Sequence, residues 1–289
     1  MRADLLAPPS ITERALRLRS VVATSLCVAA VALVVVPLAS IFAYVIARGG
    51  ASLSWSFLTA LPKPVGDVGG GMANALVGSA LLLVEACAIG LPIGVLAGVH
   101  LAESARTRFS SAVRFAADVL TGVPSISIGV FVYAIVVVAM RRFSAIAGAI
   151  ALAIVLVPAV ARTTEEFVRL VPVALREAAL GLGVARWRVT VFVVMRQALP
   201  GIVTGVALAV ARIAGETAPL LFTALGSRFF STSLDQPIAS LPVQIFTFAS
   251  SPYDDWQRQA WAGALVLVAL VSALHLGARA VASRLGARA

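Results

Sequence analysis

The run "ALAVARIAGETAPLLFTA", residues 207–224, places Arg212, Glu216 and Thr217 inside an otherwise apolar stretch. Charge in hydrocarbon is costly, and intramembrane ionisable groups face a bundle interior or a water-filled cavity, where they mark function. Arg212 and Glu216 stand four positions apart, so a continuous helix sets them on one face as a pair. A guanidinium offers planar donors matched to the oxygens of an oxyanion. The carboxylate would hold that guanidinium and keep it from trapping the anion. Thr217 could add a hydroxyl, and Pro219 is expected to bend the helix where a gate is useful. The simpler alternative is an ion pair that bridges two helices.

Two weaker candidates join them. Ser125, with Ser127, follows a break at Gly122 and Pro124 in "GVPSIS". Broken helices often line transport sites, although small residues serve helix packing equally well. Arg162 sits at the cytoplasmic end of an apolar run, where snorkelling arginine is ordinary, and Glu165 and Glu166 read as solvated beside it. His275 is expected to be a satisfied polar group between helices, and Glu85 has no assignable role.

Bond-making chemistry has no foothold in the chain. There are no suitably spaced paired carboxylates, no metal-ligand cluster and no Gly-x-Ser-x-Gly nucleophile elbow. The single lysine, Lys63 in "LPKPV", does not end a phosphate-cradling loop. If a solute is moved by nucleotide hydrolysis, another chain must bind the nucleotide, and this chain must offer it a docking surface.

The elements that position these residues follow from composition. The 289 residues are 60% hydrophobic and 12% charged, against roughly 45–50% and about 25% in soluble domains. An all-α, polytopic membrane protein is expected, with six spans near 22–47, 73–101, 119–140, 145–165, 199–225 and 260–278. Residues 1–21 form a cytoplasmic amino-terminal segment, and 22–289 the transmembrane domain, with a core of about 71–279. The first span is too long for a signal-peptide core, and Pro37 is expected to kink it. Residues 47–71 and 226–259, rich in Gly, Pro and Ser, read as exposed loops. Cys27 and Cys87 read as packing residues. With the amino terminus taken as cytoplasmic, sixteen arginines fall on the cytoplasmic side of alternate connections and six basic residues on the other. That bias puts both termini in the cytoplasm, with Arg141-Arg142 against the rule. Basic charge split among juxtamembrane loops argues against nucleic-acid binding.

The longest cytoplasmic connection, about 172–198, supplies the docking surface. Pro172 suits a first helical turn, "VALREAALGL" a short helix with a small face at Ala178 and Ala179, and Gly181 and Gly183 its end. "ARWRVTVFVVMR" then leads along the interface back into lipid.

"EAALGLGVARWRVTVFV" resembles the cytoplasmic EAA loop of ABC importer permeases. Glu177, Ala178, Ala179 and Gly183 match that pattern and Val193 stands at its Ile position, whereas Met195-Arg196 occupies its Leu-Pro position. "GMANALVGSALLL", "GVPSISIGVFVYA", "ARTTEEFVRLVP" and "ARIAGETAPLLFTA" are similar, in that order, to segments of PstA-type permeases of phosphate-specific ABC importers, covering about 71–226. PstC-type permeases share much of this pattern; the short amino-terminal region and compact loops favour PstA.

The resemblance implies a type I ABC importer permease in a bacterial inner membrane. Glu177, Ala178, Ala179 and Gly183 would couple to an ATPase, and Arg212, Glu216, Thr217, Arg162 and Ser125 would be pathway or gate residues. It also implies a PstC-type permease, two PstB-type ATPases holding ATP and Mg, and an extracytoplasmic PstS-type phosphate-binding protein, with no cofactor in this chain. A permease for sulfate or molybdate, an ion-coupled secondary transporter and a phosphate-status sensor are the alternatives.

Overall fold

The computed structural model describes residues 11–67, 69–104 and 107–286. Residues 1–10 of the expected amino-terminal segment, Arg106 and Arg288 lie outside them. The regular elements among the described residues are helices. Five are long and apolar enough to cross a bilayer: Leu16–Ser52, Ala73–Glu103, Ala145–Leu170, Arg186–Ala214 and Asp254–Leu285. A sixth span is reached if one bent pair is counted as a single crossing.

That pair replaces the expected span 119–140. Helix α4 (Arg108–Gly122) meets α5 (Ser125–Val132) at 105°. Val123 is extended (φ −73°, ψ 130°) because Pro124 disfavours helical conformation in the residue before it. α5 continues through a π-helical turn, Tyr133–Val137, into α6 (Val138–Met140), which ends with Arg141 at φ 54°.

α1 (Ile11–Ser52) runs unbroken through Pro37. Val45 and Gly49 are buried where it meets α13 (Asp254–Gly286), while Cys27 is exposed, contrary to its reading as a packing residue. Cys87 packs beside the main core. The first expected loop contains α2 (Trp55–Thr59), capped by Ser54, with Phe57 and Met72 buried. The second contains α12 (Leu241–Ala249), whose Leu241, Val243 and Phe248 are buried against α3 and α13. Neither is simply an exposed loop.

The spine is α3 (Ala73–Glu103) laid along α7 (Ala145–Leu170), the most extensive helix pair. Gly90, Gly94 and Gly98 fall at every fourth position of α3 and face α7. A Cβ on Gly94 would lie 2.7 Å from Val160 Cβ, and one on Gly98 2.5 Å from the Ala161 carbonyl oxygen. In lipid, where burial of apolar surface gives helices no mutual attraction, such close backbone approach is what associates them. α10 (Met195–Ala214) packs between α7 and α13.

Candidate functional site

The α8 end of the bundle is built first by its turn. Helix α8 (Val173–Gly181) starts after Pro172 and stops as the glycines predict. The Gly183 N–H donates to Leu180 O (2.9 Å) and the Val184 N–H to Ala179 O (3.3 Å), the paired bonds of a Schellman cap. Gly183 stands at φ +77°, where a Cβ is strained. Gly183→Ala is expected to destabilise this turn by about 1 kcal/mol, seen as faster limited proteolysis between α8 and α9 (Arg186–Arg188) with the helical signal unchanged.

Of the expected coupling residues, Glu177, Ala178 and Gly183 are exposed and Ala179 is half-buried against Val168, Val171 and Val189. Leu182 beside them is 84% exposed. The loop is tied to both spine helices. Arg176 is ion-paired with Glu103 at the end of α3 and donates to the Val168 carbonyl of α7 at 2.6 Å. Thr190 Oγ1 donates to Glu103 Oε2 at 3.2 Å.

Above this loop, Glu165 corrects its reading as solvated. It is 8% exposed, and its Oε1 accepts from Arg114 Nη2 at 2.7 Å and lies 2.7 Å from Arg169 Nη2. Buried charge survives when it is paired and hydrogen-bonded, and two arginines supply that here. Glu166 is exposed, as expected. Arg162 is ion-paired with Asp118 of α4, so α4 and α7 are joined by two charge contacts one turn apart. The sequence signal was available: Arg114 and Asp118 lie four apart on α4, as do Arg162 and Glu166, or Glu165 and Arg169, on α7.

Arg212 and Glu216 do not share a helix. α10 ends at Ala214, where the Gly215 N–H returns to Arg212 O at 3.2 Å. Pro219 does not bend a helix but sits in the first turn of a new one, α11 (Ala218–Thr223), where its missing N–H costs nothing. Among the described residues no ion pair joins Arg212 to Glu216. They meet instead across a cavity of about 160 Å³, with Ser125, Thr121, Pro124 and Pro158 also in its wall. Pro158 lies halfway along α7, so the cavity is at mid-bundle, where two interrupted helices converge. Ser125 thus joins Arg212 and Glu216. Thr217 does not line the cavity, its carbonyl accepting from Leu221 N–H at 3.2 Å, and Arg162 is engaged with Asp118. Thr121, in α4, was not singled out from sequence because it precedes the break.

Glu85 Oε2 and His275 Nε2 are buried without hydrogen-bond partners among the described residues, so His275 is not the satisfied group expected. The Arg141-Arg142 turn lies at the end of the bundle away from α8, where Arg142 meets Asp235 at 2.9 Å.

Three comparisons bear on this arrangement. A family model described as binding-protein-dependent transport system inner membrane component matches residues 90–287. The phosphate transport system permease protein PstA of Yersinia pestis is 48% identical over 237 residues, 82% of this chain and 80% of that one. The protein of the same name from Xylella fastidiosa Temecula1 is 51% identical over 217 residues, 74% and 76% of the two chains. PstA 1 of Mycobacterium tuberculosis H37Rv is 36% identical over 281 residues, 93% and 90%. In fold, the chain is similar to the inward-facing MetNI methionine ABC transporter (TM-score 0.60, 20% identity, 74% of this chain and 97% of that one). An amino acid ABC transporter with histidines is also similar (TM-score 0.53, 16% identity, 75% and 93%). The broken helices around Arg212 and the exposed α8 turn therefore sit in an importer-permease fold, and the chain belongs to the family of binding-protein-dependent transport system inner membrane components, in its PstA branch.

Proposed function

We propose that the chain is the transmembrane permease subunit of an ATP-driven phosphate importer, forming half of the translocation pathway. The observation that carries this reading is Arg212, a guanidinium without a counter-ion among the described residues, on the wall of a mid-bundle cavity where its own helix ends. Such a group suits a hydrated oxyanion in transit, with Glu216 close enough to keep its hold on the anion temporary. A homologous PstC-type permease completes the pathway, and an extracytoplasmic PstS-type protein delivers phosphate to it. Catalysis lies elsewhere: ATP and Mg bind to PstB-type subunits, which dock on the exposed face of α8 around Glu177 and Ala178. Both termini are cytoplasmic in a bacterial inner membrane, as the arginine bias requires.

The test is uptake of labelled phosphate in cells lacking their own high-affinity importer, supplied with all partner subunits. Native chain restores uptake. Glu177→Arg, which leaves every bond of the α8 cap in place, abolishes both uptake and ATPase co-purification at normal membrane levels. A native chain that moved sulfate but not phosphate would overturn the substrate, and full uptake by Glu177→Arg would overturn the docking face.

A further inference from the structure

A second cavity lies at the end of the bundle away from α8. It encloses about 210 Å³ between Lys63, Asn74, Arg228, Ser240, Gln244 and Trp256. We propose that it binds phosphate as a protonated oxyanion, a receiving site outside the Arg212 cavity. The proposal rests on the phosphate-permease reading above.

Its chemistry is that of an anion site. The Arg228 guanidinium lies 5.8 Å from the Trp256 ring centroid, and Trp256 stacks on the buried Phe248 at 4.4 Å. That platform orients the guanidinium, and no carboxylate pairs with it among the described residues. Lys63 adds a second cation to the wall. Ser240 is 2% exposed and Gln244 9%, yet Ser240 Oγ and Gln244 Nε2 have no hydrogen-bond partner among the described residues. Buried polar groups in native proteins are almost always paired, so donors left open beside a basic cavity point to a ligand.

Asn74 selects among anions. Its Nδ2 donates to the Ser227 carbonyl at 2.6 Å, which fixes the amide so that Oδ1 is the acceptor. Oδ1 has no partner. An acceptor in a cationic wall suits an anion that carries its own O–H. Phosphate keeps a proton at neutral pH, whereas sulfate has none to donate.

Position links the two cavities. Glu216 precedes α11, and Leu225 and Gly226 follow it, so a helix of six residues, about 9 Å long, separates them. Leu225 holds φ 61°, a conformation non-glycine residues seldom keep outside constrained sites, and it turns the chain to present Ser227 and Arg228.

The experiment is equilibrium binding of labelled inorganic phosphate to the assembled permease–ATPase complex in phosphatidylcholine nanodiscs without nucleotide. Arg212→Gln retains a saturable site that Arg228→Gln weakens by about tenfold or more and Arg228→Lys largely restores. Sulfate displaces the label at least about tenfold less well than phosphate. Binding by Arg228→Gln equal to the parent overturns the site, as does loss of all binding in Arg212→Gln. Arg228-dependent retention of phosphatidylglycerol with no phosphate binding would assign the pocket to a lipid headgroup and also overturn it. If native cells take up phosphate while Arg228→Gln binds normally, only this site falls; if native cells take up none, the permease reading falls.

Discussion

Replacing Arg212 with Gln is expected to lower phosphate uptake about a hundredfold or more, with the chain still inserted and its partners still co-purifying. Gln keeps much of the side-chain length and a donor but not the charge, and charge-assisted hydrogen bonds to an anion are each worth about 1.5–3 kcal/mol. Two such contacts correspond to a factor of about a hundred or more. Assembly should survive because the Arg212 side chain makes no hydrogen bond or ion pair among the described residues, the backbone bond to its carbonyl is kept in Gln, and its neighbours Ala211, Ile213 and Ala214 carry the packing. Arg212→Lys should recover part of the rate, since it restores charge without the planar fork. Glu216→Gln should slow release more than entry, seen as a lower maximal rate with little change in half-saturation. Full uptake by Arg212→Gln would reduce the charge to a lining group without a part in transport.

The largest stability loss is expected at Gly98. A valine there would drive its Cβ to 2.5 Å from both the Ala161 carbonyl oxygen and Thr164 Cβ. A backbone carbonyl inside α7 cannot swing aside as a side-chain tip can, so α3 and α7 must separate. Overpacking of this kind costs about 3 kcal/mol, and here it also displaces the backbone that carries Glu165. Gly98→Val should show a thermal midpoint in detergent lowered by several degrees or more and a sharply reduced membrane level. Gly50→Val, where an added Cβ meets nothing within 4 Å, is the matched control. Equal behaviour of the two variants would remove the glycine seam from the account of stability.

Much of this arrangement was legible in the residues. Long apolar runs marked five helices long enough to cross the bilayer but not the bend within the expected span 119–140, and Gly183 marked the end of α8. The conjunction of Arg212 and Glu216 in one greasy segment marked the central cavity, although periodicity alone made them neighbours on a single helix. Spacing is outweighed by the helix breakers: Gly215, between the two, closes α10, and Pro219, just after them, opens α11. The helix in residues 241–249 was missed because its surroundings are rich in Ser, Gly and Pro. Yet Pro242 in its first turn and the apolar run after it were signals of a packed helix. Glu165 differs for another reason. The four-residue spacings on α4 and α7 place charges on one face of each helix, but its burial depends on Arg114, 51 positions away, and spacing within one helix does not report which helix it meets.

The tie between α8 and the spine has a mechanical meaning. Arg176 grips the ends of both α3 and α7, and those helices are locked along their length by glycine contacts that leave no slack. α3 alone is about 46 Å long at 31 residues, and at its other end the Ser79 hydroxyl accepts from Leu241 N–H at 2.7 Å. A push on residues 173–181 is therefore delivered to a stiff rod rather than absorbed in a loop. The breaks in helical backbone are elsewhere, at Val123-Pro124 and at Gly215–Thr217, and both border the Arg212 cavity. The two places where helical hydrogen bonding is interrupted thus lie against the middle of α7, one end of which carries the α8 tie.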